Sequence, residues 1–240
     1  MPCPARFVVV APASRPPGLR IEGELRAAGH SVVVGIDEVG KGSWAGPLTV
    51  GVTVVGHRGR PKGIRDSKLL SPATREVLYD RIIGWADAWA IGHASPEECD
   101  ELGMSEAQRV ATRRALDALG VTPDAVLVDG SWDFVKDIVA PGTLTRTIIK
   151  GDRTSLSIAA ASVIAKVTRD RIMRSVAADY PYYAFESNKG YPCPRHKMAL
   201  QGYGPSAIHR RSWVFMDHLA WTGLHRPVIE LPTQLEFVGV

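Results

Sequence analysis

Residues 32–42 constrain the fold of this 240-residue chain more than any other segment. Three valines at positions 32–34 lead into the sequence GIDEVGKG (residues 35–42), in which an apolar strand ends in the adjacent acids Asp37 and Glu38. Successive strand residues point to opposite faces, so both carboxylates reach one site only if the strand ends or bends there. Buried unpaired carboxylates are costly, which favours a bound cation, although a solvated turn is the alternative. The glycines allow a loop backbone to approach a large anion.

The rest of the chain predicts alternating strands and helices. We expect strands at residues 32–37, 48–55, 85–93, 125–128 and 144–149. We expect helices at residues 71–83, 104–119 and 155–179, with shorter ones near 195–201 and 213–221. Small residues at 159–162 permit close packing of the long helix. The first 18 or so residues and the last dozen are expected to be loosely ordered ends.

Composition excludes several classes of protein. With 45% apolar residues, the chain can bury the core of one large domain or two small ones. Its three cysteines, at positions 3, 99 and 193, have no metal-binding spacing and fit a reducing compartment. The sequence contains no apolar run long enough to span a membrane, and residues 7–13 are too short for a signal-peptide core. We therefore expect a cytoplasmic protein without membrane contact.

Basic residues are concentrated in the C-terminal half of the chain. Residues 150–226 contain 12 Lys and Arg against 5 Asp and Glu, whereas residues 1–149 contain 17 against 18. Five aromatic residues are interleaved with these basic residues: Tyr182, Tyr183, Tyr191, Tyr203 and Trp213. This composition suits a polyanion with stackable bases or sugars, although a solvated helix face is the alternative.

Four acids lie at or just after the ends of apolar strands: Asp37, Glu38, Asp129 and Asp152. The strand ends of an α/β sheet meet at one edge, where ligands bind. Four carboxylates at one edge would repel one another and raise their pKa values. Two divalent cations would remove that repulsion, activate a water and clamp the oxygens of a transferring phosphate. The four acids therefore predict a phosphoryl-transfer centre.

Two further segments suggest phosphate contacts. The loop sequence DSK (residues 66–68) offers a hydroxyl and a lysine, although a helix-capping turn is the alternative. Lys166 and Arg169 lie about one turn apart on the long helix, so they are expected to face the same phosphates. Asp170 is interpreted as structural, paired with Arg169 or Arg174.

Seven segments, in chain order, together resemble the ribonuclease HII family, the type 2 ribonucleases H. They are GIDEVGKG (35–42), DSKLLS (66–71), VDG (128–130), KGD (150–152), IAAASVIAKVTRD (158–170), KGYP (189–192) and HRRS (209–212). The resemblance implies a ribonuclease H-like α/β fold: a mixed five-stranded sheet with an antiparallel second strand, flanked by helices, and a mostly helical C-terminal portion. It divides the chain into an N-terminal extension (1–31), a catalytic core (32–180), a substrate-binding portion (181–226) and a tail (227–240).

The resemblance also implies an activity. Members of this family are hydrolases that cleave RNA in RNA–DNA hybrids and cut on the 5′ side of ribonucleotides embedded in duplex DNA, leaving 3′-hydroxyl and 5′-phosphate ends. By position, the catalytic acids that bind two Mg²⁺ or Mn²⁺ ions are Asp37, Glu38, Asp129 and Asp152. The implied substrate contacts are Gly40, Lys41 and Gly42 at the 2′-hydroxyl, Tyr191 on the following sugar, and Ser67, Lys68 and Lys166 on phosphates.

The chain departs from the family pattern outside the four acids. Lys41 stands where arginine is usual. Lysine keeps the charge but lacks the planar guanidinium, which predicts looser recognition of RNA–DNA junctions. The alternative is that the arginine mainly stiffens the loop, in which case the change matters little. Four other departures are Arg65 for asparagine or aspartate, Asn188 for histidine, Cys193 for threonine, and Trp213 for phenylalanine. The Trp213 change is expected to affect only packing.

Two alternative functions remain open at this point. One is a protein that binds hybrids without cutting them, against which the four clustered acids argue. The other is a different nuclease of ribonuclease H fold, such as a resolvase, against which the segment at residues 189–191 argues. In the tail, the sequence QLEF (residues 234–237) resembles sliding-clamp-binding peptides and predicts a contact with a sliding clamp.

Overall fold

The structure is a computed structural model that describes residues 16–56 and 59–219. Five strands form one sheet: β1 (Val33–Val39), β2 (Leu48–Val54), β3 (Ala88–Ala94), β4 (Ala125–Asp129) and β5 (Leu144–Ile148). Their spatial order is β3-β2-β1-β4-β5, and β2 runs antiparallel to the other four. The predicted mixed sheet with an antiparallel second strand is therefore confirmed.

Six α-helices accompany the sheet in the described ranges: α1 (Arg20–Ala27), α2 (Pro72–Ile83), α3 (Pro96–Ala118), α4 (Leu156–Ser175), α5 (Phe185–Asn188) and α6 (Pro194–Tyr203). Short 3₁₀ turns lie at Ser67–Leu69, Gly151–Arg153, Val176–Ala178, Pro181–Tyr183 and Val214–His218. The long helix expected over residues 155–179 thus ends at Ser175 and continues as a 3₁₀ turn. The segment expected as a helix over 213–221 is a 3₁₀ turn in its described part.

Helix α3 begins eight residues earlier than the sequence pattern predicted. Ser95 and Glu98 form a capping box, in which each side chain accepts a hydrogen bond from the backbone N–H of the other. Gly103 then interrupts the helix with a φ of 75°. The amphipathic pattern becomes regular only after this glycine, which is why the periodicity indicated a start at residue 104.

The two faces of the sheet are covered by different helices. Val34 and Ile36 of β1 pack with alanines of α3, whereas Val33 packs with Ile158 of α4. A Cβ on Gly35 would lie 2.4 Å from the backbone carbonyl carbon of Ser157, so only glycine allows α4 to approach this closely. Residues 156–165 of α4 are all buried. The close packing predicted for the small residues at 159–162 is therefore present.

The described part of the proposed N-terminal extension packs on the core. Ile21 and Leu25 of α1 contact buried residues of β1 and β4. Glu22 is fully buried, and its Oε1 accepts hydrogen bonds from the Ser155 hydroxyl and from the backbone and hydroxyl of Ser157. Helix α1 is thereby joined to the beginning of α4.

The C-terminal portion forms its own apolar cluster at the end of α4. Met173 of α4 packs there with Tyr183, Phe185 and Leu200, and Ala45 from the β1–β2 loop joins the same cluster. The C-terminal portion is therefore anchored beside the glycine-rich loop that follows β1. Among residues 16–56 and 59–219, none of the helices combines the length and the apolar character needed to cross a membrane.

Candidate active site

Three aspartates meet at one edge of the sheet. Asp37 lies on β1, Asp129 is the last residue of β4, and Asp152 lies in the 3₁₀ turn between β5 and α4. One carboxylate oxygen from each lies within 4.8 Å of the others. The Gly151 N–H donates to Asp129 Oδ1 at 2.6 Å, which links the end of β4 to the turn that carries Asp152. This set of carboxylate oxygens suits a hard divalent cation.

The aspartates are held in surroundings that disfavour their charges. Burial raises the pKa of Asp37 well above its usual range, and the charges of Glu38 and Asp129 raise it further. Burial, followed by the neighbouring carboxylates Asp66 and Asp129, raises the pKa of Asp152 to about 6. Raised pKa values of this origin are typical of sites that are completed by a cation or by a substrate.

Glu38 points to the other face of β1. Asp37 faces α4, where Ser162 hydrogen-bonds to it, whereas Glu38 faces α3, where Gln108 Nε2 lies 3.5 Å from its Oε2. β1 continues two residues beyond Asp37 rather than ending there, so the strand alternation separates the two side chains. Glu38 is therefore not one of the three acids within 4.8 Å. Burial raises its pKa, and the charge of Lys41 opposes that shift.

A cavity of about 200 Å³ opens beside Asp37 and Glu38 and brings most of the predicted site residues together. Its lining consists of Asp37, Glu38, Val39, Ser67, Lys68, Ser162, Lys166 and Tyr191. Burial acts against the charge on Lys68, but Asp37 and Asp66 outweigh it and raise the pKa of Lys68. A cation therefore faces the aspartates from the loop that the sequence suggested as a phosphate-binding loop.

The glycine-rich loop after β1 lies against this cavity. The Gly40 N–H donates to the Tyr191 hydroxyl at 3.1 Å, so the two predicted substrate contacts touch each other. Gly40 has a φ of 89°, and a Cβ there would lie 2.2 Å from Arg169 Nε, so this position requires glycine. Lys41 and Gly42 are exposed at the tip of the loop.

The expectation that Arg169 faces phosphates is wrong. Arg169 is fully buried, and it donates to the carbonyl oxygens of Pro47, Lys189 and Ala45 and to the Ser43 hydroxyl. Its guanidinium therefore joins the loop after β1 to the segment that carries Tyr191. The one-turn spacing from Lys166 could not reveal this, because the carbonyl partners come from distant parts of the chain.

Asp170 pairs with other residues than the sequence suggested. Its carboxylate accepts from Lys166 Nζ at 2.7 Å and lies 3.6 Å from Arg75 Nη2, in place of the expected Arg169 or Arg174. Arg75 also donates to the Ser67 carbonyl oxygen, which supports the turn before α2. Asp170 thus orients a predicted phosphate-binding lysine.

Comparison with known proteins decides the family. The family model described as Ribonuclease HII matches residues 34–216. The chain belongs to the ribonuclease HII family. The Streptomyces avermitilis ribonuclease HII is 48% identical over 205 residues, covering 85% of this chain and 86% of that protein. The Caulobacter vibrioides ribonuclease HII is 44% identical over 198 residues, covering 82% and 91%.

Solved structures show the same fold. The ribonuclease H2 of Pyrococcus horikoshii OT3 matches with a TM-score of 0.67 at 30% identity, covering 78% of this chain and 96% of that one. The ribonuclease HII of Archaeoglobus fulgidus, solved in complex with PCNA, matches with a TM-score of 0.63 at 26% identity, covering 75% and 93%. The chain is therefore a ribonuclease H, a hydrolase that cuts within nucleic acid strands, and not a resolvase or a binding-only protein.

The lysine that replaces the usual arginine of ribonuclease HII lies against an aromatic ring. Lys41 Nζ is 5.3 Å from the ring centroid of Trp132, and Arg109 Cζ is also 5.3 Å from it. Two cations therefore share one indole, which lies three residues after Asp129. Trp132 restrains the lysine, whose flexible stem would otherwise leave the ammonium group free.

Two other departures from the ribonuclease HII pattern touch each other. Asn188 Nδ2 lies 3.5 Å from Cys193 Sγ, and it also donates to the Tyr183 carbonyl oxygen at 2.7 Å. Asn188 Oδ1 accepts from the Gly190 N–H at 2.8 Å. Asn188 and Cys193 therefore lie on either side of the turn that presents Tyr191 and contact each other across it. Trp213 packs over the guanidinium of Arg210, with 5.4 Å between Cζ and the ring centroid.

Sequence reasoning did not identify several residues that shape the site. Ser162 hydrogen-bonds to Asp37, and its hydroxyl lies 2.9 Å from the Ser67 hydroxyl. Arg210 is fully buried and donates to the carbonyl oxygens of Lys41 and Gly46. Ser162 and Arg210 lie within segments that resembled the family, so the motifs contained them. Their roles become visible only through contacts between distant parts of the chain.

Proposed function

We propose that this ribonuclease H depends on divalent metal ions and cleaves RNA in RNA–DNA hybrids and on the 5′ side of ribonucleotides embedded in duplex DNA. The products carry 3′-hydroxyl and 5′-phosphate ends. One observation carries the proposal: the carboxylate oxygens of Asp37, Asp129 and Asp152 lie within 4.8 Å of one another beside the cavity that Tyr191 lines.

The residues fit a divalent metal. Hard cations such as Mg²⁺ and Mn²⁺ prefer carboxylate oxygens, and the pKa values of Asp37 and Asp152 are raised by burial and then by neighbouring carboxylates, both of which a bound cation would offset. Asp37, Asp129 and Asp152 would hold the metal, and Glu38, which lines the same cavity, is the fourth acid of the proposed site. When bound, two such ions activate a water and stabilise charge on the oxygens of the transferring phosphate.

The protein's own residues bind and orient the substrate. Lys68, Ser67 and Lys166 line the cavity and hold the phosphates that flank the cut. The backbone of Gly40, Lys41 and Gly42 approaches the ribose closely enough to detect its 2′-hydroxyl, because a Cβ at the exposed Gly42 would project into open space and glycine leaves that space free for the substrate.

Tyr191 stacks on the following sugar. Its hydroxyl accepts from the Gly40 N–H. This hydrogen bond fixes the distance between the Tyr191 ring, which stacks on the sugar, and the loop at residues 40–42, which contacts the 2′-hydroxyl. Phosphate contacts therefore position the duplex, and the loop together with Tyr191 selects the ribonucleotide.

The division into extension, catalytic core (32–180), substrate-binding portion (181–226) and tail belongs to the same proposal, as does a cytoplasmic location. The Archaeoglobus fulgidus relative was solved in complex with PCNA, a likeness that supports a sliding-clamp contact for this chain. The clamp-like sequence at residues 234–237 lies outside the described residues, so its role stays a prediction.

The test uses three duplexes of one sequence: an RNA–DNA hybrid, a DNA duplex with a single ribonucleotide, and an all-DNA duplex. With Mg²⁺ or Mn²⁺, the first two should be cut and the third should bind without being cut, since phosphates dominate affinity. Polymerase extension and ligation of the products identify the 3′-hydroxyl and 5′-phosphate ends. Cleavage of the all-DNA duplex would contradict the ribonucleotide requirement, and undiminished cleavage in excess EDTA would contradict the metal requirement.

A further inference from the structure

Two histidines lie buried behind the loop that presents Tyr191. His196 is 0% exposed and His209 is 1% exposed, and their Nε2 atoms are 2.9 Å apart. Aromatic rings of the C-terminal cluster surround them, including Tyr183 and Phe185. Burial lowers the pKa of both histidines, so the pair is neutral at physiological pH.

The hydrogen-bond partners determine where each proton lies. His196 Nδ1 is 3.0 Å from the Tyr191 carbonyl oxygen, which only accepts, so Nδ1 carries the proton. The Nε2 of a neutral His196 therefore accepts from the Nε2–H of His209. His209 Nδ1 is then free to accept from the Ser206 N–H at 2.9 Å, and the Ser206 hydroxyl lies 2.7 Å away. The hydrogen bonds of this series all run in one direction, from Ser206 through His209 and His196 to Tyr191.

The series of hydrogen bonds continues through Tyr191 into the active site. The backbone carbonyl of Tyr191 is held by His196, while its hydroxyl accepts from the Gly40 N–H at 3.1 Å. Tyr191 is thus fixed at both ends, once to the C-terminal portion and once to the glycine-rich loop. A ring that is fixed at one end only would pivot about its backbone.

We propose that His196, oriented by His209, is a positioning residue that sets the Tyr191 ring against the Gly40 loop and thereby tunes ribonucleotide cleavage. The proposal rests on the substrate role proposed above for Tyr191. Neither histidine lines the active-site cavity, and the hydrogen bond between His196 and the Tyr191 carbonyl joins the pair to a residue that does.

Paired substitutions separate positioning from simple packing. The amide of asparagine reaches the place of a histidine Nδ1, and that of glutamine reaches the place of Nε2. His196→Asn therefore keeps the bond to Tyr191, whereas His196→Gln loses it. At position 209 the order reverses, because the bond to His196 leaves from Nε2: His209→Gln keeps it and His209→Asn loses it.

The measurement is the initial rate on a duplex with one embedded ribonucleotide, below substrate saturation, for all four variants, with melting curves recorded for each. We expect His196→Gln and His209→Asn to be slower by about tenfold, the value of one lost hydrogen bond, and their partners to stay within about threefold of the wild type. General destabilisation cannot produce this reversal between the two positions. If His196→Gln does not fold, the pair at position 209 carries the test.

The same variants in a Tyr191→Ala background complete the experiment. We expect the difference between glutamine and asparagine to vanish there, because the residue through which the histidines act is gone. A tenfold difference that persists without Tyr191 overturns the positioning role and leaves the proposed function intact. Wild-type activity of Tyr191→Ala alone instead overturns the proposed substrate role of Tyr191, and the positioning role with it.

Discussion

Two buried polar clusters flank Tyr191, and they are built on opposite principles. On one side, Asp37 and Asp152 are 7% and 5% exposed, and the cluster that they form with Asp129 contains only acids. On the other side, His196 and His209 are fully buried, and each donor has its acceptor. The aspartates offer only acceptors to one another, which is the basis for proposing a metal there, whereas the histidines bond to each other. In our proposals the acidic cluster carries the chemistry, and the histidine pair holds Tyr191 in position.

The same physical cause acts on both clusters with opposite results. Burial disfavours charge, so it raises the pKa of the carboxyl groups and lowers the pKa of the imidazoles. Neutral imidazoles satisfy one another through hydrogen bonds. Ionised carboxylates cannot, because each offers only acceptors.

The largest expected effect comes from neutralising the acidic cluster. Asp37→Asn or Asp129→Asn should reduce cleavage on the order of a thousandfold or more, because each change removes a charged ligand oxygen while conserving shape. The measurement is the cleavage rate at saturating Mg²⁺, with Asp80→Asn on the exposed face of α2 as the matched control. Substantial activity in both variants would refute the assignment of the metal centre.

Metal should stabilise the acidic cluster and leave the histidine pair unaffected. Adding Mg²⁺ or Mn²⁺ to metal-free protein at about 100 times the dissociation constant should add ~2.7 kcal/mol to the free energy of unfolding. Thermal melting should show this gain in the wild type and in His196→Asn, and a much smaller gain in Asp37→Asn. An equal gain in all three proteins would mean that the metal binds elsewhere.

The two clusters should respond to acid in opposite directions in metal-free protein. His209 has a folded pKa of about 3 against 6.5 when unfolded, so its contribution to stability is present above pH 6.5 and is lost as the pH falls toward 3. Asp152 has a folded pKa of about 6 against 3.8, so its contribution is present below pH 3.8 and is lost as the pH rises through 6. The two contributions therefore oppose each other between about pH 4 and 6.

Variants separate these contributions. His209→Gln should flatten the loss of stability in acid, and Asp152→Asn should steepen it, each by up to about 1.4 kcal/mol per pH unit. Urea unfolding at several pH values measures both slopes. Parallel curves for the two variants and the wild type would show that neither group governs the acid response.

The smallest expected effect concerns Lys41 at the edge of the acidic cluster. Lys41→Arg should raise cleavage of a single embedded ribonucleotide more than cleavage of a long hybrid, by roughly a few-fold. The reason is that the planar guanidinium of arginine donates directed hydrogen bonds, whereas the lysine ammonium acts as a point charge. The measurement is the ratio of initial rates on the two substrates at one salt concentration, with the exposed Lys62→Arg as the control. An unchanged ratio would show that Lys41 does not contribute to substrate preference, which would then depend on Tyr191 and the metal site.

The strands and the acidic edge were predictable from local pattern, and the antiparallel second strand from the family resemblance. Each acid stands at or near the end of an apolar run, and the family segments occur in chain order. Element boundaries were less predictable, since the capping box at Ser95 and the kink at Gly103 shift α3 away from its amphipathic pattern. Glu38 lines the same cavity as Asp37 but points to the other face of β1, because the strand continues to Val39, and the residue at which β1 ends was not predictable from local pattern.

The sequence by itself determined the family, the mixed sheet and the identity of the acids that meet at its edge. Only the tertiary structure decided which polar groups are buried together. Ser67 meets Ser162 across 95 residues, and Lys41 meets Arg210 across 169. Periodicity reports the face on which a side chain lies, but not which distant carbonyl or ring lies opposite it. For that reason Arg169, Arg210 and the histidine pair acquire their roles only once the chain is folded.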